Sequence, residues 1–119
     1  MSTAYQSNQH RVVDIWWEQT RSRLHLFFKV MTQDGVISDK EVEDALTYLT
    51  ARLREFEDVT CPTVVAEIHG QLLQALRNMK QSLLYRVEHN DHQAQIRLER
   101  ALSNIDALRF HLLQFDILV

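Results

Sequence analysis

Two glycines and one proline in 119 residues leave this chain almost no turn chemistry. These two residue types are the strongest punctuation a sequence has, because glycine supplies positive φ and proline fixes φ and removes a donor. Sheets need such punctuation at every hairpin, so an all-β or α/β fold is excluded. What remains is a small number of long helices.

The apolar spacing predicts four of them. Residues 1–8 are polar and aperiodic and read as a lead-in closed by a Ser7 or Asn8 cap. The first helix then runs to about Thr32, with Val13, Trp16, Trp17, Thr20, Leu24, Phe27, Phe28 and Met31 in one arc at 100° per residue. The second spans about Asp39 to Glu57 on Val42, Ala45, Leu46, Leu49, Leu53 and Phe56. The third runs from about Pro62 to Glu88 on Val64, Val65, Ile68, Leu72, Ala75, Leu76, Met79 and Leu83, and Gly70 inside it predicts the close approach of another helix. The fourth, opened by a cap at Asp91, continues to the C-terminus on Leu98, Ala101, Leu102, Ile105, Leu108, Leu112 and Phe115.

Short connections between four helices predict an all-α, four-helix antiparallel up-down-up-down bundle, one domain over residues 1–119. The two αα-hairpins are candidates for a pseudo-two-fold pair. A shift of 56 residues (27 to 83) lays Phe27-Phe28 on Leu83-Leu84 and Ala45-Leu46 on Ala101-Leu102. Equal hairpin lengths produce much of that match by construction.

The turn Asp34–Glu41 joins the first hairpin. Asp34-Gly35 closes one helix, and Ser38 stands three residues before Glu41, the spacing of a capping box. The same residues resemble the back half of an EF-hand calcium loop. With Gly35 at the invariant glycine, Asp34, Ser38 and Glu41 fall on ligand positions. The first ligand position falls on Val30, which has no carboxylate to give, and the capping box accounts for the turn without an ion.

Other constellations are thinner. No acid stands three residues before any of the six histidines, so the Glu-x-x-His pairs of di-iron bundles are missing. His89 and His92 share a face beside Asp91 and can share a metal, but exposed histidines at a cap are usually solvated. Cys61 lies near a helix start with no base identified by the sequence. No glycine-rich phosphate loop exists. An enzymatic role therefore has no positive support, and no cofactor or metal is expected.

Net charge is −3 and no Lys/Arg cluster occurs; Arg77, Arg86, Arg97 and Arg100 are interleaved with acids. Nucleic-acid binding is not expected. One cysteine, no leader and no apolar run of membrane length predict a soluble cytoplasmic chain without membrane contact.

The functional expectation comes from surplus apolar surface. Val12, Ile15, Leu26 and Val30 widen the first helix's apolar face to about 200°, more than a bundle corner buries. Ala66, Leu73 and Leu84 widen the third, and Phe110 and Ile117 lie off the seam of the fourth. These nine residues predict an interaction protein, a homodimer or the binder of another protein. The alternative is a small-molecule or metal-binding bundle whose pocket between helices uses Trp16, Trp17 and a histidine such as His69.

Overall fold

The computed structural model describes residues 2–25 and 38–117, with side chains from residue 8 onward. Four α-helices pack against one another: α1 (Ser2–Arg23), α2 (Asp39–Asp58), α3 (Ala66–Val87) and α4 (Asp91–Leu113). A single 3-10 turn, Thr63–Val65, leads into α3. Among the described residues there is no strand.

Each helix gives the core one stripe at helical spacing. Val13, Trp16, Trp17 and Thr20 are buried from α1, Leu24 just past its end, and Val42, Leu49, Leu53 and Phe56 from α2. Ile68, Leu72, Ala75, Leu76, Met79 and Leu83 line α3, and Ala101, Ile105, Leu108 and Leu112 line α4. Burial of each large aliphatic side chain contributes roughly 1.5–3 kcal/mol, against a net of about 0.5–1.5 kcal/mol for a typical hydrogen bond between neutral groups.

Polar pairs fix how neighbouring helices slide. On the α3/α4 seam Asn104 Nδ2 donates to Gln71 Oε1 at 3.4 Å. Asn104 Oδ1 accepts from Asn78 at 2.9 Å, and Asn78 Oδ1 accepts from Arg97 at 3.4 Å. Deeper, the buried Ser82 hydroxyl donates to the Ala94 carbonyl at 2.7 Å. Partners on α4 fall in number as those on α3 rise. Between α1 and α2, the Tyr48 hydroxyl donates to the Arg23 carbonyl, and Arg23 pairs with Glu55 at 3.1 Å. The Cα envelope of 56 × 23 × 18 Å is far longer than the ~33 Å of a 22-residue helix, so the helices are staggered.

Several boundaries differ from the sequence expectation, each for a local reason. Helix α1 begins at Ser2, continuing through the polar segment read as a lead-in; nothing in residues 2–8 is a helix breaker. The first hairpin's closing residues, with Phe27, Phe28 and Met31, lie outside the described residues. Ser38 caps α2 as expected: Oγ accepts from the Glu41 N–H at 3.2 Å and donates to Glu41 Oε1 at 3.1 Å. Pro62 precedes the 3-10 turn instead of starting α3 directly.

The cap of α4 is Asn90, not Asp91; its side chain accepts from the Gln93 N–H at 3.3 Å. That helix stops at Leu113, because Asp116 takes φ 59° and the Ile117 N–H bonds back to the Leu112 carbonyl at 3.1 Å. Gly70 has nothing within 4 Å of where a Cβ would stand, since it lies on the solvent side of α3, so no helix approaches it. Leu102 is 40% exposed, on the flank of α4 rather than on its inner seam.

Candidate functional site

The structure places seven of the nine interface candidates: six on α1, α3 and α4, and Ile117 just past the end of α4. Val12 and Ile15 are exposed on the outer face of α1, Ile15 by 50%. Ala66 is exposed at the start of α3 and Leu84 near its end. Leu73 and Ile117 are half-buried and pack against the core. Phe110 is the most exposed large apolar side chain among the described residues, at 65%. Leu26 and Val30 lie outside them. The α3/α4 pairings put Leu84 and Phe110 at opposite ends of that hairpin.

Sequence reasoning missed a second group on α4. Leu113 is 51% exposed and shares one flank with Leu102, Asp106 and Arg109. The signal was present: positions 102, 106, 109 and 113 are spaced 4, 3 and 4, and fall within about 60° of one another on a helical wheel. Leu102 sits at the edge of the inner seam on a helical wheel, and the structure leaves it 40% exposed.

The alternative site does assemble in part. Trp16 lies edge-on to His69 with ring centroids 6.2 Å apart. Phe56 stands at 6.2 Å from the same imidazole, and Trp16 and Trp17 are neighbours at 6.3 Å. Phe56 belongs to the last turn of α2, whose carbonyls have no donor within the helix. His69 reaches across from α3, and its Nε2 lies 3.0 Å from the Phe56 oxygen. A carbonyl only accepts, so Nε2 is the donor in this bond. Among the described residues Nδ1 is buried with no hydrogen-bond partner, in a residue only 7% exposed.

Two recesses flank this core. The α2/α3 groove, of about 450 Å³, is floored by Leu46, Ala51 and Leu84 and edged by Thr47, Thr50, Arg54 and Lys80. Another recess, of about 380 Å³, gathers Asp39, Glu43, His89 and Asp91 at the far end of α2 and α3. Among the described residues no three His, Cys, Asp or Glu side chains are placed to hold a metal ion. His89 instead ends α3 and His92 is exposed in the first turn of α4. Cys61 is half-buried and packs against the core.

Among the described residues no helix is long and apolar enough to cross a membrane. Comparison with protein-family models, curated proteins and solved structures finds no match to this chain.

Proposed function

We propose that this chain is a small non-enzymatic helical-bundle interaction protein, binding a second copy of itself or another protein through apolar surface on α1, α3 and α4. The observation that carries the reading is Phe110, held 65% exposed on a helix whose inner face is otherwise filled. Ile15 repeats the pattern on α1. Large apolar side chains kept out of a well-packed core are what a protein interface uses as anchors.

A non-enzymatic role is supported because several of the polar groups at the helix ends have structural work. Ser38 and Glu41 cap α2, Asn90 caps α4 and His89 closes α3. We read the bundle as one antiparallel up-down-up-down domain. The falling order of α4 partners along α3, and the link of residues 88–90 between those two helices, support that reading for the α3/α4 hairpin. A cytoplasmic location suits the lone Cys61.

Sedimentation velocity across a wide concentration range tests the proposal. The expected result is a monomer–dimer equilibrium that Phe110→Glu or Ile15→Glu shifts toward a folded monomer. A monomer at every concentration would sink the self-associating form.

A second reading, a pocket for a small molecule or metal between helices, has one observation in its favour: the buried Nδ1 of His69, which has no hydrogen-bond partner among the described residues, beside the rings of Trp16 and Phe56. The absorption spectrum and metal content of the purified protein decide it. Colour or bound metal lost on His69→Phe would establish this reading, and a colourless, metal-free protein would remove it.

A further inference from the structure

We propose that α4 carries a self-complementary docking stripe on which a second copy of this chain seats antiparallel about a two-fold axis. This rests on the self-association proposed above and names the face and the register. The stripe is Leu102, Asp106, Arg109 and Leu113. Both leucines are exposed, 40% and 51%, and Asp106 and Arg109 are 75% and 45% exposed.

The argument is one of charge and symmetry. In an antiparallel two-fold pairing of identical helices, each residue meets the one equally far on the other side of the axis. With the axis between residues 107 and 108, Leu102 meets Leu113 of the second copy, and Asp106 meets its Arg109. All four contacts are favourable at once: apolar on apolar at both ends, opposite charges in the middle. A shift by one turn would lose the leucine contacts and set like charges together. The positions lie on one flank, spanning about 16 Å of helix, with Phe110 bordering it. The existing Asp106–Arg109 contact is a 3.6 Å surface pair, too solvated to hold either side chain against a better partner. An interface of this length is at the small end of specific contacts, so the dimer is a weak one, with Kd roughly micromolar.

Charge swapping on the full chain tests the register. Sedimentation velocity gives the dimer Kd, and circular dichroism checks that each variant folds. Arg109→Asp alone and Asp106→Arg alone each place like charges in both central contacts and are expected to weaken dimerisation by about tenfold or more. The double variant Asp106→Arg/Arg109→Asp recreates the pairing with signs exchanged and is expected to return Kd to within about threefold of the starting value. Leu113→Glu should weaken the dimer without rescue by either charge change. A dimer indifferent to all of these overturns the α4 register and leaves the self-association of the preceding section standing on another face. A monomeric parent chain overturns both, and gives the stripe to a different protein.

Discussion

His69 holds together three parts of the molecule with one imidazole. Its Nε2–H satisfies a carbonyl in the last turn of α2, its ring packs on Trp16 of α1, and its backbone belongs to α3. Removing the donor leaves the Phe56 carbonyl buried and unpaired, a cost of about 1–3 kcal/mol. Extra apolar contact from a larger ring recovers only part of it. His69→Phe is therefore expected to lose about 1–2 kcal/mol of stability, and His69→Gln less, because its amide still donates. Urea unfolding of the two variants measures the difference. If His69→Phe is as stable as the parent, the hydrogen bond is not what fixes the α2/α3 junction, and ring packing alone accounts for this residue.

At the level of elements, helix endings are where this structure keeps its strain. Helix α3 closes in a Schellman motif: the Asn90 N–H bonds the Tyr85 carbonyl at 2.8 Å and the His89 N–H bonds the Arg86 carbonyl at 3.0 Å. The motif puts His89 at φ 60°, a conformation that costs a residue with a Cβ roughly 1–2 kcal/mol. Glycine avoids that cost but is freer when unfolded by about 0.5–1 kcal/mol. His89→Gly should thus raise stability by about 0.5–1 kcal/mol, seen as a higher urea midpoint at unchanged slope; a lower midpoint would mean the imidazole contributes more than the backbone loses. The same motif at Asp116 ends α4. These two endings show what the sequence made legible and what it hid. Inner stripes were readable because core positions repeat at 3.6 residues: Val13, Trp16 and Trp17 on α1 and Leu72, Leu76 and Leu83 on α3 all proved buried. The Ser38 cap was readable because a capping box has a fixed spacing. The end of α4 was not, since Asp116 closes a helix without a glycine to mark the place. Leu102 was misplaced because a wheel gives angle but not the position of the neighbouring helix. The cluster at His69 was visible only as residue types, with nothing in the sequence to say that it would cap Phe56.

Across the whole molecule, the question is whether α1 belongs to the same cooperative unit as the α3/α4 hairpin. Trp16 and Trp17 are the chain's only tryptophans, both lie on α1, and both are buried. Tryptophan emission therefore reports the docking of α1, while far-ultraviolet ellipticity reports all four helices together. Val13, Trp17 and Leu24 are as fully enclosed as the leucines of α3, and α1 is tied further by the Tyr48 and Glu55 contacts to Arg23. Four buried side chains on α1, two of them tryptophans, with Leu24 just past its end, bring enough apolar area that undocking α1 would expose the core of the other three. Local opening of α1 is then nearly as costly as global unfolding, and the two probes should give one coincident urea transition. Emission that shifts red at lower urea than the loss of ellipticity would show α1 coming away first. In that case the apolar surface it uncovers would be a second candidate docking face beside the stripe proposed on α4.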